Sequence, residues 1–250
     1  MDRLNEEFKA TCRILFGSEI GELEQFKDYL LKVVPKPLII PSKITGKEVY
    51  LASPFYSKNA NFIELPELLK LNPTLNINEI KDIDSLLSSL SEKFFYCGNN
   101  HLGNCLNVEE SDCCFDGVNV RNSFEVLEGG KFIAYSHGIR KGDHIFGSVW
   151  CGDNGFLMKC QGVFSSKMAF DSYLAMKSRN LYCSFNCRSC SEVLFSFNQV
   201  SKQYLIGNLE LTKEKFLPLK QKLLSEISDH LRSKKSFPSI FEIIKSGGEF

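Results

Sequence analysis

The chain's 250 residues are enough to bury a real core, as one elongated domain or as two small ones. Thirty basic residues cancel thirty acidic ones, which excludes a global field directed at nucleic acid or an anionic membrane. No run reaches the ~18–20 consecutive apolar residues of a membrane helix, and the polar opening MDRLNEEFK has no signal-peptide character, so a cytoplasmic protein is expected.

Two helical patterns come first. Phe8, Cys12, Leu15 and Phe16 form one stripe that Gly17 interrupts, and Ile20, Leu23, Phe26, Leu30 and Val33 form a second that ends before Pro35 and Pro37. The run PLIIPSKITGKEVYLAS reads as a hairpin turning at Thr45-Gly46-Lys47. Ile80, Ile83, Leu86, Leu87 and Leu90 give a further amphipathic helix. Residues 1–92 are therefore an N-terminal α+β region, placed to cap the central segment of the chain.

From about residue 93 to 208 the period changes to six. Ile133, Ile139, Ile145, Cys151, Leu157, Val163, Ala169, Ala175, Leu181, Cys187, Val193, Gln199 and Leu205 are all apolar or Cys except Gln199. Three residues after each, apart from Lys202 after Gln199, lies a small or turn-forming one, such as Ser136, Ser148, Ser184 and Ser196. One extra residue near Gly129-Gly130 joins this ladder to Tyr96, Leu102, Val108, Cys114, Val120 and Val126. Helices repeat every 3.6 residues and strands every two, so neither produces this ladder. A β-solenoid does, with one apolar side chain inward per step and a corner on the small residue. The fold class is α+β, a β-helix of six-residue steps with helical segments on both sides. Coils of twelve or eighteen residues both fit.

The residue after every second inward one is apolar or aromatic: Phe146, Met158, Phe170, Tyr182 and Leu194 among them. Strand alternation points these five outward as an interaction face. Soluble proteins rarely leave such a stripe bare, so the helix at Ile20–Val33 or that at Phe216–Leu231 is expected to pack along it, with any remainder a protein interface. After Asn208 the chain is helical again over 209–250: Thr212 is the N-cap candidate, Phe216, Leu219, Leu223, Leu224, Ile227 and Leu231 form a stripe, and the last residues fray.

Ten cysteines in a chain without an export signal are read as reduced thiols. The C-x3-C-x2-C run Cys183, Cys187, Cys190 has spacing able to hold zinc or an iron–sulfur cluster. In regular coils those side chains should point in different directions, and packing is the competing use of cysteine in a narrow core. His101, His137, His144 and His230 fall in no motif, and no phosphate loop or nucleophile–base set stands out. Acyltransferase hexapeptides carry a small residue after the aliphatic one, where this chain has Arg140, Phe146 and Phe164.

Cys187-Arg-Ser-Cys190, Phe195-Ser-Phe-Asn198, Lys202-Gln-Tyr204-Leu-Ile206-Gly-Asn208 and Thr212-Lys-Glu-Lys-Phe216 together resemble the end of a group of uncharacterised β-helix proteins from small-genome archaea and candidate-phylum bacteria. The resemblance covers residues 180–225 and implies a solenoid closing in a helix, with no catalytic residue. The functional expectation is a non-enzymatic scaffold or protein-interaction module, without a cofactor, binding another protein or a larger assembly. A homo-oligomer is compatible with this. The alternatives are a metal or iron–sulfur protein using Cys183, Cys187 and Cys190, and a ribosome- or RNA-associated factor, which zero net charge disfavours.

Overall fold

A computed structural model describes residues 2–246 apart from 54, 58–59, 72–73, 141–145, 153–154, 157, 164–166 and 172–178. Helix α1 (Asp2–Phe16) leads through a 3-10 turn (Leu23–Phe26) into the short α2 (Lys27–Leu31). Strands β1 (Leu38–Pro41) and β2 (Glu48–Leu51) form the antiparallel hairpin. Then come β3 (Phe62–Glu64), α3 (Leu65–Leu71), α4 (Ile83–Lys93) and β4 (Tyr96–Gly98), which pairs in parallel with β3. The solenoid strands are β5 (His101–Leu102), β6 (Leu106–Glu109), β7 (Asp112–Phe115), β8 (Val118–Arg121), β9 (Phe124–Leu127), β10 (Lys131–Arg140), β11 (Phe146–Cys151), β12 (Cys160–Val163), β13 (Lys167–Ala169), β14 (Arg179–Tyr182), β15 (Ser191–Leu194) and β16 (Gln203–Ile206). They coil through about seven turns. The antiparallel β17 (Leu209–Glu210) closes the last turn, before α5 (Lys213–Lys234) and α6 (Ile240–Lys245).

The coil has twelve residues. Leu106 lies opposite Val118, Ser148 opposite Cys160, and Leu181 opposite Val193, all in parallel register. One turn is longer where β8 meets β10, with Val120 opposite Ile133, which places the extra residue at Gly129-Gly130. A second insertion leaves no mark in the six-residue pattern. His101, not Leu102, lies opposite Cys114, so the extra residue falls at Gly103, whose φ is +72°. A Cβ at Gly103 would sit 2.4 Å from Asp116 Oδ1, the atom that accepts the Asn104 N–H at 2.7 Å. Leu102 is accordingly turned out to solvent and Tyr96 packs in the hairpin's own apolar cluster; neither is a solenoid core residue.

The finer repeat is three residues, not six. From Asn107 to Glu128 every third residue is left-handed, with φ between +48° and +61°. The phase slips by one at Gly129-Gly130, to Phe132, Tyr135 and Gly138, and every third residue from Asn180 to Gly207 is left-handed again. Over residues 107–128 and 180–207 each twelve-residue turn therefore bends four times. Asparagine occupies positions 107, 119, 122, 180, 186 and 198 of this series, because its short polar side chain tolerates the left-handed region. These side chains also stack between turns. Asn107 Nδ2 donates to Asn119 Oδ1 at 2.9 Å, and Asn186 Nδ2 to Asn198 Oδ1 at 2.9 Å.

Most residues that follow a bend point inward, Lys202 after Ser201 being an exception, and this revises the role of the serines. Ser111, Ser123, Ser136, Ser184 and Ser196 are buried, not surface corners. Ser136 Oγ donates to Ala134 O at 2.9 Å, and Ser123 Oγ accepts the Ser136 N–H at 3.2 Å. The hydroxyls form a column that satisfies backbone groups within the core. Val120, Val126, Ile133 and Ile139 share one apolar cluster, and Leu181, Val193 and Leu205 share another. Ile145, Leu157 and Ala175 lie outside the described residues, as do the side chains of Cys151 and Val163.

The flanking elements follow local signals. Asp82 caps α4 by accepting the Ser85 N–H at 2.8 Å. Thr212 stands at the N-cap of α5 without a side-chain cap bond, and Pro218 falls inside the helix's second turn. The second N-terminal stripe forms a shorter helix than expected, broken by Gly21 at φ +141°. The tail is helical over Ile240–Lys245, with Ser239 and Glu242 capping α6 reciprocally.

Candidate interaction surface

All five residues expected to form an outward face are sealed by the chain itself. Phe146, Met158, Phe170, Tyr182 and Leu194 share one cluster with Phe8, Leu15 and Phe16 of α1, Leu30 of α2, and Phe216, Leu224, Ile227 and Leu231 of α5. Phe8 meets Phe146 edge-on with centroids 5.3 Å apart, and Phe16 meets Phe170 at 4.9 Å. Helix α2 comes so close that a Cβ on Gly147 would lie 2.5 Å from Leu30 O. The expectation that at least one of the two stripes packs along the solenoid is met by both, through α2 and α5, and α1 joins them. The expectation of a remainder open to a partner is corrected: each of the five side chains is at most 1% exposed.

The cysteine triplet does not converge. Cys183 is a left-handed residue whose side chain joins the helix-covered cluster, whereas Cys187 and Cys190 lie in the solenoid core. Burial pushes the Cys187 thiol up to about 11 and the Cys183 thiol well above its ordinary value, so both favour the protonated form. Among the described residues no three His, Cys, Asp or Glu side chains are grouped to hold a metal ion. His101 is hydrogen-bonded to Ser111 O at 2.9 Å and His137 lies 3.6 Å from Glu125; His144 is outside the described residues.

One polar cluster escaped sequence reasoning. Lys159 Nζ lies 3.4 Å from Asp171 Oδ2, which also accepts the Tyr29 hydroxyl at 3.2 Å; Lys159 caps the Tyr29 ring at 4.5 Å. All three side chains are buried at the seam between α2 and the solenoid. Burial raises the Asp171 carboxyl against the lowering effect of Lys159 and Tyr29. The twelve-residue spacing of Lys159 and Asp171 on successive turns was the available signal, legible only once the coil length is known.

Uncovered apolar surface is concentrated elsewhere. Thirteen of the 23 exposed large apolar side chains among the described residues lie between Phe55 and Leu127. Helix α4 presents Ile83, Leu87 and Leu90 to solvent, with Ile80 just before it, while Leu86 of the same stripe is half-buried. On the solenoid, Leu102 lies opposite Phe115 and both are exposed, as is Leu127 one turn further on, whose own neighbour on the next turn is the charged Arg140. No helix among the described residues is long and apolar enough to cross a membrane. No protein-family model, curated protein or solved structure matches the chain.

Proposed function

We propose that the chain is a non-enzymatic scaffold that binds a protein partner through its N-terminal apolar surfaces, chiefly α4. The observation that carries this reading is the contrast between two amphipathic stripes. The solenoid's stripe is covered by α1, α2 and α5, while the α4 stripe of Ile83, Leu87 and Leu90 has no cover. A short helix does not keep such a stripe for its own stability, which in water comes from packing that face. A helix face with apolar side chains at positions four and seven residues apart suits a groove or a second helix on another protein. The metal and RNA readings gain no comparable support, since the thiols sit in two clusters and the charges balance.

The test is a paired substitution, Ile83→Glu with Leu87→Glu. Circular dichroism and thermal melting should match the wild type, because neither side chain is buried. Affinity capture from the native host should then lose a partner that the wild type retains. Identical capture by both proteins would refute the assignment of α4 as the binding face.

A further inference from the structure

Where α5 gives way to α6 the surface is hollowed by two adjoining recesses. One is an open depression of about 450 Å³ bordered by Lys32, His230, Lys234 and Glu242. The other encloses about 360 Å³ and is walled by Phe195, Phe237, Pro238 and Ile243, with His230 at its margin. His230, Phe237 and Pro238 line both, so the two are one cleft with a charged end and an apolar end. The His230 ring meets Phe237 edge-on at 5.5 Å and marks the boundary.

The charges at the polar end are unequal. Lys32 Nζ is 3.3 Å from Glu242 Oε1, which neutralises it, while Lys234, in the last turn of α5, forms no ion pair among the described residues. We propose that this cleft binds an amphipathic anion, a carboxylate or phosphate head carrying a short apolar chain. The head takes the place between Lys234 and Lys32, and the chain lies on Phe195, Phe237 and Ile243. An ammonium head would face the two lysines, and a polar tail would be stripped of water against hydrocarbon. The site is independent of α4 and of any protein partner bound there.

Glu242 gives the proposal a distinctive readout. Its other oxygen caps α6 by accepting the Ser239 N–H at 2.7 Å, a role glutamine also fills. Glu242→Gln therefore keeps the helix end and frees Lys32 for the ligand. Isothermal titration of the full chain should use octanoate and octyl phosphate, with octanol and octylamine as controls. Both anions should bind roughly tenfold or more tightly than the controls, Lys234→Glu should weaken them by about tenfold, and Glu242→Gln should tighten them. Binding of either head supports the proposal, and the tighter of the two identifies its source. Phe237→Ser, checked for folding by circular dichroism, should lose both. Equal binding of anions and controls, no binding at all, or weaker binding by Glu242→Gln would overturn it.

Discussion

At the scale of single residues, the solenoid depends on side chains that accept left-handed backbone. For a residue other than glycine this conformation costs about 1–2 kcal/mol, and β-branched residues tolerate it worst. Asn119, at φ +55°, also receives the ladder bond from Asn107. Asn119→Val should lower stability by about 2–3 kcal/mol, from strain plus the lost hydrogen bond, and Asn119→Gly by only about 1 kcal/mol. Urea midpoints measure both, and equal losses would contradict the three-residue bend. The buried Lys159–Asp171 pair makes a second prediction at this scale. Lys159→Met alone leaves an uncompensated buried carboxylate and should cost about 3–5 kcal/mol, whereas Lys159→Met with Asp171→Leu should recover most of that loss. A double variant no better than the single one would show that the pair stabilises in its own right.

At the scale of elements, the helices act as a cover for a face the solenoid cannot leave in water. Helix α5 is tied down by Lys220, which bonds Glu192 at 2.5 Å and lies over the Tyr182 ring, and by Tyr204 against Phe216. Deleting residues 212–250 should uncover this apolar surface, and size-exclusion chromatography should show oligomers or aggregates. A truncated protein that stays monomeric and equally stable would refute the covering role. The N-terminal hairpin carries a pH dependence of its own. Burial alone would raise the Glu67 carboxyl, but hydrogen bonds from Ser42, Thr45 and the Glu64 N–H outweigh it, and the group falls below its ordinary value of 4.5. A carboxylate lowered by folding stabilises fully above its unfolded value and loses that contribution as pH falls through the lowered one. Hydrogen exchange in β1, β2 and α3 should accelerate below about pH 4.5, and Glu67→Gln should flatten that dependence.

At the scale of the whole molecule, the open question for any solenoid is how its ends are closed. The first turn is met by the hairpin: Asp112 accepts the Ala52 N–H at 2.8 Å through one oxygen and the Asn100 N–H at 2.9 Å through the other. The last turn explains the ladder's exception. Gln199 stands where earlier turns place Val126, Ile139 and Cys187, and its amide donates to Phe197 O at 3.1 Å. Asn208 Oδ1 accepts the Phe197 N–H at 2.8 Å. Side chains thus occupy both backbone groups of Phe197 that a further strand would use. Gln199→Val should leave the fold intact and promote end-to-end association, visible as a concentration-dependent rise in mass by light scattering. No rise up to high concentration would mean that other groups close this end.

What the sequence determined by itself is what repetition and local chemistry encode. Thirteen ladder positions six residues apart require a coil, a Gly pair marks one inserted residue, and Thr212 marks where α5 begins, although its side chain makes no cap bond there. Tertiary structure decided the rest. Whether a stripe is covered depends on which helix reaches it, and the stripes on α1, α5 and α4 have the same pattern in one dimension. The first two are buried against the solenoid with α2, and Ile83, Leu87 and Leu90 of the third are left exposed. Coil length was equally out of reach, because a six-residue period is satisfied by two or three repeats per turn. Only the hydrogen-bonded register, with Leu181 on Val193 and Val193 on Leu205, selects two, and with it the stacking of Lys159 on Asp171.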